Sequence, residues 1–363
     1  MRNMAKSLKV LLLTHKFYPD LGGTEANAEF LAKAFHDYGI EVHLLTWTQQ
    51  SGSKVFPYKV VRNPGLKQLL AEHKWADVVF ENSPVLRMSW PALLFRKPLV
   101  VSLNTWLSNE DGSKSFPAKM KYLWLKKASS VIAVSDAIRQ KCWPAAVVIE
   151  NAYNDDLFIQ TVANDSKPKS FVFLGRLVSD KGADLAIEAI AQLYKEYREA
   201  NSDTSQISLT VIGEGKDFEK LKQYVIDAGI KQIVRFEGSL TGDKLVDCLN
   251  QHQYMLIPSR WEEPFGIVAL EGLACGCIPI VSDGGGLPDA VGKAGLVFER
   301  GDLQDLADAI KRLLSDKVLQ ERLRAEADAH LKAHSSKVVA KQYIDIIKSA
   351  GKNKIYESNL YIA

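Results

Sequence analysis

The sequence predicts an α/β protein made of two αβα domains. Short β-branched or Leu-rich runs alternate with helical patterns along the chain, which is typical of parallel sheets covered by helices. The alternation restarts after a polar stretch at residues 161–170. The length of 363 residues also corresponds to about two domains of ordinary size.

The first domain is predicted to span residues 1–165. Its first strand is expected at Lys9–Thr14, and a loop with Gly22-Gly23 leads from it into a helix over residues 24–38. Thr24 is a suitable N-cap for this helix. More strands are expected at Val42–Thr46, Val78–Phe80, Leu99–Leu103 and Val131–Val134.

The second domain is predicted to span residues 166–337. Its strands are expected at Phe171–Leu174, Ser208–Ile212, Ile233–Phe236, Tyr254–Ile257, Ile278–Val281 and Gly295–Phe298. A final helix at about residues 338–363 is predicted to pack back on the first domain. Because ligands bind outside the carboxyl ends of parallel strands, the crevice between the domains is the expected ligand site.

Charge is distributed unevenly along the chain. Residues 1–150 hold 20 basic and 12 acidic residues, whereas the remaining chain has a formal charge of −5. The net charge of +3 is too balanced for a dedicated nucleic-acid-binding protein. Four scattered cysteines indicate buried, reduced thiols. The apolar run Val10–Leu13 is too short for a signal peptide, so a cytoplasmic protein is expected.

Glycine-containing loops follow several of the predicted strands. Gly22-Gly23 stands where a phosphate could approach a helix N-terminus, although a tight turn explains it equally well. After Gly175, Arg176 and Lys181 can both reach a diphosphate, and a solvated basic loop is the alternative. The triple glycine at residues 284–286 permits close approach to a ligand or a flexible turn. No complete dinucleotide fingerprint, P-loop or D-x-D motif is present.

Two carboxylates, Glu263 and Glu271, flank a segment that begins with Pro264. With Pro264 at the first helical position, the helix would separate the two carboxylates by about 12 Å. That distance is too large for sharing a proton, and it exceeds the separations of ~5–9.5 Å used in glycoside hydrolysis. The pair could instead hold two ends of one long ligand.

The order of these motifs resembles the retaining GT-B glycosyltransferases of family 4. The matching elements are Gly22-Gly23, Gly175-Arg176 with Lys181-Gly182, Pro258-Ser259 with Glu263-Pro264-Phe265-Gly266 and Glu271, and Gly284-Gly285-Gly286-Leu287-Pro288. The resemblance covers nearly the whole chain. It implies a GT-B fold, in which two Rossmann-like αβα domains face a central cleft and the second domain holds most of a nucleotide-sugar donor.

The resemblance also implies roles for individual residues. The implied donor-binding residues are Gly22, Gly23, Gly175, Arg176, Lys181, Gly238, Leu240, Glu263, Phe265, Gly266, Ile267 and Glu271. Arg176 and Lys181 would bind the donor diphosphate, which Gly23 would approach from the first domain. Glu263 would bond hydroxyls of the donor sugar, and Glu271 would hold the ribose hydroxyls. The loop at residues 238–240 would contact the base.

The implied catalytic residues are Glu263, Arg176, Lys181 and Asn104. The resemblance implies retention of anomeric configuration with no metal and no other cofactor, so that positive charge stabilises the leaving diphosphate. Family members often carry His after the strand that matches Leu99–Leu103, where this chain has Asn104. Asn104 can bond a sugar hydroxyl, but it cannot carry a proton or a charge.

A basic amphipathic segment, Lys114–Lys127, interleaves five lysines with Phe, Met, Tyr, Leu and Trp. Such a segment can lie on an anionic membrane surface, and many relatives in the resembled family extend lipid-linked sugars. The alternative is a surface helix whose apolar side lies in the core. The sequence leaves both open.

The expected function is transfer of a hexose from a nucleotide-sugar to a saccharide or lipid-linked saccharide, in polysaccharide or glycolipid assembly. UDP-glucose or a related UDP-hexose is the expected donor, as an implication of the resemblance. The enzyme would act in the cytoplasm, with the inner face of the membrane as a candidate location. One alternative is a GT-B-fold nucleotide-sugar epimerase. The other is a non-catalytic nucleotide-sugar-binding scaffold, suggested by Asn104.

Overall fold

The computed structural model describes residues 7–20, 22–108, 113, 115–205 and 207–360, except the side chains of Lys169 and of residues 353–360. The chain divides into a first unit, residues 1–151 with 336–363, and a second unit, residues 152–335. Each unit is built on one parallel sheet with helices around it. The predicted α/β class, with two parallel sheets flanked by helices, is confirmed.

The first unit contains seven strands in the order β3-β2-β1-β4-β5-β6-β7. Its elements are β1 (Lys9–Thr14), α1 (Gly23–Asp37), β2 (Glu41–Thr46), β3 (Lys59–Arg62), α2 (Leu66–Trp75), β4 (Val78–Asn82), α3 (Leu86–Ser89), α4 (Pro91–Leu94), β5 (Leu99–Leu103), α5 (Phe116–Leu125), β6 (Ser130–Ala133), α6 (Asp136–Cys142) and β7 (Val147–Val148). The central strands are buried throughout, as in β5, because helices cover both faces of a parallel sheet.

The second unit contains six strands in the order β10-β9-β8-β11-β12-β13. Its elements are β8 (Lys169–Leu174), α7 (Ala183–Glu199), β9 (Leu209–Ile212), α8 (Phe218–Asp227), β10 (Val234–Gly238), α9 (Asp243–Asn250), β11 (His252–Ile257), α10 (Ile267–Ala274), β12 (Ile278–Ser282), α11 (Leu287–Val291), β13 (Leu296–Phe298), α12 (Leu303–Ser315) and α13 (Lys317–Ala333). The chain then returns to the first unit through α14 (Ser336–Leu360).

In the first unit, two edge strands and one helix start differ from the sequence predictions. The short strands β3 and β7 were not predicted, because each lies at a sheet edge and carries little apolar pattern. Helix α1 begins at Gly23 after Gly22, and no side chain caps it. Thr24 therefore lies inside the helix, and its prediction as the N-cap is wrong.

The boundary between the units lies earlier in the chain than the sequence suggested. We expected the first domain to end at residue 165, whereas the second unit begins at Ala152. The Asn250 side chain accounts for this difference. Its Oδ1 accepts hydrogen bonds from the backbone N–H of Thr161 (2.6 Å) and of Val162 (3.3 Å), which ties the polar stretch to α9 of the second unit.

Helix α14 packs on the sheet of the first unit. Tyr343 is fully buried, its ring lies 5.9 Å from that of Phe80 on β4, and its hydroxyl lies 3.4 Å from the Ser102 hydroxyl on β5. Within the part of the chain that the structure describes, no helix has the length and apolar character needed to cross a membrane.

Candidate active site

The second sheet has a topological switch point between β8 and β11. The chain leaves β8 toward β9 on one side, whereas β11 pairs with β8 on the other side. In open parallel sheets, ligands bind outside the carboxyl ends of the strands at such a point. The loops that follow β8 and β11 carry most of the charged residues that the sequence analysis selected.

Lys181 and Glu263, 82 residues apart in sequence, meet at this switch point. The Lys181 ammonium forms an ion pair with Glu263 Oε1, and both side chains are mostly buried. The Ser259 hydroxyl lies 3.0 Å from the same Glu263 oxygen. The ammonium also lies 5.6 Å from the ring centroid of Trp261, a cation–π distance. The arrangement fixes a cation beside a carboxylate that still has hydrogen-bond acceptor capacity.

Backbone contacts hold these two loops together. The Asp180 carbonyl accepts hydrogen bonds from the N–H groups of Arg260 (2.8 Å) and Trp261 (3.2 Å). Gly182 has a φ of +71°, and a Cβ there would overlap the carbonyl oxygen of Pro258. Gly182 is therefore required by the packing of the protein itself.

The triple glycine after β12 also serves backbone packing. The N–H of Gly286 donates to the carbonyl of Glu263 at 2.7 Å. Gly285 has a φ of +67°, and a Cβ there would overlap the same carbonyl oxygen. The close approach that these glycines permit is to the loop that carries Glu263, and it orients that loop.

Arg176 stands apart from this network. Its side chain is exposed, and no hydrogen bond or ion pair joins it to any described residue. Gly175, just before it, donates its N–H to the Ile212 carbonyl at 3.1 Å. A Cβ on Gly213 would overlap the Gly175 carbonyl, so the partial glycine motif after β9 supports this loop. The guanidinium is free to bind an anion.

The loop at residues 238–240 lies next to the same edge. Gly238 ends β10 with a φ of +69°, and its carbonyl accepts the Gly213 N–H at 2.7 Å. Leu240 is half-buried. The loop predicted to contact the base thus adjoins the loop after β9. That loop is in turn next to the loop after β8, which carries Arg176.

Helix α10 begins later than the sequence suggested. It starts at Ile267 after Gly266, which has a φ of +122°, so Pro264 and Phe265 precede it. Phe265 is 2% exposed, and its ring stacks on His334 at 5.8 Å, which anchors the segment outside the helix. The prediction that Pro264 starts the helix is wrong. The estimate of about 12 Å between the two carboxylates therefore does not apply.

Glu271 is a carboxylate without a protein partner. It lies on α10 between the buried residues Leu270 and Gly272 and is itself half-buried. Among the described residues, none hydrogen-bonds or ion-pairs with it. Burial raises the pKa of Glu271 to about 7. A desolvated carboxylate of this kind is stabilised by a ligand that brings hydrogen-bond donors.

The first unit has its own switch point, between β1 and β4. Gly22 and Gly23 follow β1, Asn82 ends β4, and Asn104 follows β5. A Cβ on Gly23 would meet no atom within 4 Å, and one on Gly22 would meet only the flexible carboxylate of Glu25. The packing of the described residues does not explain Gly23, which is consistent with a contact to something that binds there.

Three asparagines meet at this point. The Asn104 amide nitrogen donates to Asn82 Oδ1 at 2.7 Å, and the Asn27 amide nitrogen donates to the same oxygen at 3.1 Å. Asn27 and Asn82 were not selected from the sequence. The signal that could have found them is position, because Asn82 ends the strand beside β1 and Asn27 lies in the second turn of α1.

A buried carboxylate anchors α5 to β4. Glu81 is fully buried and accepts hydrogen bonds from Trp124 Nε1 (2.7 Å) and from the Val85 N–H (2.9 Å). Burial raises the pKa of Glu81 to about 7. Trp124, one of the aromatic residues of the basic segment, is therefore a core residue.

The other side of α5 carries exposed apolar side chains. Phe116 is 76% exposed and Leu123 is 55% exposed, and Met120 between them is also exposed. Their spacing places them along one helix face. The exposed lysines Lys119, Lys126 and Lys127 lie on and just after this helix, whereas Lys114 lies outside the described residues. The segment combines a buried side with an apolar, basic outer side.

Among the residues that the structure describes, no group of three or more His, Cys, Asp or Glu side chains could hold a metal ion. The charged groups at the second switch point include the Lys181–Glu263 pair and Arg176, and Glu271 lies on the helix α10 that follows. They suit a ligand that offers both an anionic part and hydroxyl groups.

Two units, each with a parallel sheet and a polar site at its switch point, define a protein of the GT-B fold class. The crystal structure of HepE from Anabaena in complex with UDP shares this fold, with a TM-score of 0.79 and 19% identity over 94% of this chain and 100% of that chain. HepE has also been solved with UDP-glucose. At 19% identity the likeness establishes the fold alone.

The sequence comparisons identify the family. Residues 154–330 match the family described as glycosyl transferases group 1. The uncharacterized glycosyltransferase MJ1178 of Methanocaldococcus jannaschii is 24% identical over 86% of this chain and 90% of that relative. The D-inositol 3-phosphate glycosyltransferase of Corynebacterium jeikeium is 32% identical over 47% of this chain and 40% of its own length. Residues 154–330 belong to the glycosyl transferases group 1 family, and the chain is a glycosyltransferase.

Proposed function

We propose that this glycosyltransferase is a retaining, metal-independent hexosyltransferase that uses a UDP-hexose, with UDP-glucose as the first choice. Its acceptor would be a saccharide or a lipid-linked saccharide in polysaccharide or glycolipid assembly. The observation that carries the proposal is the Lys181–Glu263 ion pair at a switch point where the loop after β8 also carries the unpartnered Arg176. The site thus offers cations for a diphosphate and a hydrogen-bond acceptor for sugar hydroxyls.

The donor diphosphate binds Arg176 through its planar guanidinium and Lys181 through its ammonium. When the bond between the sugar and the diphosphate breaks, negative charge grows on the diphosphate oxygens. Arg176, Lys181 and the backbone N–H groups of Phe265, Gly266 and Ile267 stabilise that charge, because they are positioned before the reaction begins. Glu263 accepts hydrogen bonds from hydroxyls of the hexose.

Glu271 binds the ribose hydroxyls of the nucleotide. Its carboxylate lacks protein donors, and two adjacent hydroxyls would supply them. The loop at Gly238 and Leu240 contacts the base, and Gly22 and Gly23 are proposed to contact the donor phosphates through their backbone. Uracil is our choice of base because HepE, which shares the fold, was solved with UDP and with UDP-glucose.

The outer side of α5 is proposed to contact an anionic membrane surface when the acceptor is lipid-linked. Phe116, Met120 and Leu123 are exposed on one side, and Lys119 and Lys126 can approach lipid phosphates. This docking would bring the first unit to its acceptor at the inner face of the membrane.

The test is incubation with a panel of UDP- and GDP-sugars, with release of the nucleoside diphosphate followed with and without glycan and lipid-linked acceptors. We expect UDP release that increases with an acceptor, persists in EDTA and leaves the sugar in its original anomeric configuration. A sugar isomer formed without an acceptor would indicate an epimerase. Donor binding without turnover in any mixture would indicate a scaffold. Either result would overturn the proposal.

A further inference from the structure

The asparagine network of the first unit has a fixed hydrogen-bond direction. The Asn82 amide nitrogen donates to the backbone carbonyl of Thr24 at 2.8 Å. A carbonyl oxygen can only accept, so the NH₂ group of Asn82 must face Thr24. Asn82 Oδ1 then faces the other two asparagines and accepts from both, at 3.1 Å from Asn27 and 2.7 Å from Asn104.

This direction leaves Asn104 with no free capacity. Its amide nitrogen donates to Asn82 Oδ1 and to the Ser83 hydroxyl oxygen at 3.4 Å. Its Oδ1 accepts from the Ser102 hydroxyl at 3.1 Å and from Asn27 at 3.3 Å. An amide side chain has two donor hydrogens and two acceptor lone pairs, and here all four are used. A ligand could bond Asn104 only by breaking one of these bonds.

Two other groups remain available to a ligand. The Ser83 oxygen accepts from Asn104, so its hydroxyl hydrogen is free to point away from the network. Asn27 Oδ1 receives no hydrogen bond from any described residue. Ser83 is also held at a φ of +72°, a backbone conformation that serine seldom adopts and that often marks a functional position. The Ser83 donor and the acceptor of Asn27, which is 8% exposed, therefore adjoin two fully hydrogen-bonded side chains, the buried Asn82 and the half-buried Asn104.

We propose that Ser83 and Asn27 form a neutral binding subsite for a sugar hydroxyl, with Asn82 and Asn104 as the positioning residues that orient them. A hydroxyl both donates and accepts, so it complements this pair. The four side chains carry no charge, so they favour a hydroxyl over a phosphate or carboxylate. The inference rests on the proposed function, and the hydroxyl belongs either to the donor hexose or to the acceptor.

The first test uses Ser83→Ala, with Ser129→Ala as the matched control, because Ser129 is exposed in the same unit with no side-chain bond to a described residue. Loss of one neutral hydrogen bond should weaken binding about threefold to tenfold. If the hexose is bound, Ser83→Ala should weaken UDP-glucose binding and leave UDP binding unchanged. If the acceptor is bound, its KM should rise with both donor affinities unchanged. If the UDP affinity, the UDP-glucose affinity and the acceptor KM of Ser83→Ala all equal those of the parent, the subsite is overturned.

The second test separates positioning from simple structural support. In Asn104→Asp, an ionised carboxylate cannot donate to Asn82 Oδ1, whereas a protonated carboxyl can donate once. The sugar-dependent step should therefore weaken about tenfold at about pH 8 and recover toward the parent as the pH falls to about 4, the usual pKa of an aspartyl group. A residue that only supports the fold would lower Tm without this recovery. A defect that is the same at every pH would contradict the positioning role.

The inference can also be tested without turnover. Protein labelled with ¹⁵N-asparagine is titrated with methyl α-D-glucopyranoside, and the side-chain amide signals are followed. We expect the Asn27 signal to shift in the parent and in Ser129→Ala, and to stay in place in Ser83→Ala. No shift in the parent would refute the subsite even if UDP-glucose is turned over. A shift in a protein that releases no UDP would instead refute the proposed function alone.

Discussion

The two switch points have the same strand topology, but one carries charged side chains and the other carries neutral ones. In the second unit, the loops after β8 and β11 carry Arg176, Lys181 and Glu263, and the last two form an ion pair. In the first unit, the strands at the equivalent position present Asn82 and Asn104, which are neutral and bonded to each other. A parallel sheet therefore determines where a ligand can bind, and the side chains that end its strands determine what binds. Here one sheet suits a charged diphosphate, and the other suits hydroxyl groups.

Two desolvated carboxylates, the fully buried Glu81 and the half-buried Glu271, show the same contrast. Burial raises the pKa of both Glu81 and Glu271 to about 7. Glu81 accepts hydrogen bonds from Trp124 and from the backbone of Val85, so its protein partners satisfy it. Glu271 has none among the described residues. A similar shift of pKa thus accompanies a structural group in one unit and, in the proposal above, a ligand-binding group in the other.

The largest effect should come from removing Lys181. Lys181→Ala removes a preorganised cation and leaves Glu263 mostly buried without its ion-pair partner. We expect kcat/KM with UDP-glucose to fall by about 10²–10³. Lys195→Ala is the control, because Lys195 lies on the exposed side of α7 in the same unit. If Lys181→Ala keeps kcat/KM within twofold of the parent, the second switch point is not the donor site.

Glu271→Gln should have the next largest effect. Its comparison with Glu81→Gln distinguishes the roles of these two carboxylates. Loss of hydrogen bonds to a charged group should weaken UDP binding about tenfold to a hundredfold, measured by calorimetry. Glu81→Gln, the matched variant of the first unit, should bind UDP as the parent does. Equal UDP affinities in the two variants would remove the ribose-binding role of Glu271.

The pH dependence of folding stability gives a further test of Glu271. Because burial raises its pKa from 4.5 to about 7, Glu271 contributes stability in full below pH 4.5 and loses it as the pH rises through about 7. Glu271→Gln removes this loss. Its free energy of unfolding should exceed that of the parent by about 2 kcal/mol at about pH 8 and should equal it near pH 4. Urea unfolding at both pH values provides the measurement.

The sequence predicted most of the strands, because they depend on local apolar patterns. The run Val10–Leu13 marks β1 directly, and Arg176, Lys181 and Glu263 each follow a predicted strand. Their pairing follows from parallel topology, which brings the carboxyl ends of strands to one edge.

What the sequence could not predict depends on contacts between distant residues. The late start of α10 follows from the burial of Phe265 against His334, which no local pattern shows. The saturation of Asn104 depends on Asn27 and Asn82, 77 and 22 residues away. The roles of the glycines were ambiguous for the same reason. Glycine is needed where a ligand approaches the backbone closely, and it is equally needed where another backbone segment does.

A pair of glycine substitutions should distinguish these two reasons for glycine. Gly23→Ala has open space for its Cβ and lies in α1, so stability should stay constant or rise by up to about 1 kcal/mol. If Gly23 contacts the donor phosphates, UDP-glucose binding should weaken about tenfold. Gly182→Ala should instead lose about 3 kcal/mol of unfolding free energy through its overlap with Pro258. Unchanged donor binding in a stable Gly23→Ala protein would remove Gly23 from the site.

The smallest effect concerns the outer side of α5 in the first unit, which exposes lysines beside apolar residues. Lys119→Gln should weaken binding to vesicles with anionic lipid about fivefold, because each lysine near such a surface contributes about 1 kcal/mol. Lys33→Gln is the matched control, since Lys33 is exposed on α1 of the same unit and pairs with Asp37. The difference between the two variants should disappear in high salt and on neutral vesicles, because it arises from surface charge. Equal vesicle binding by both variants at low salt would show that α5 does not face the membrane, and its apolar side chains would need another partner.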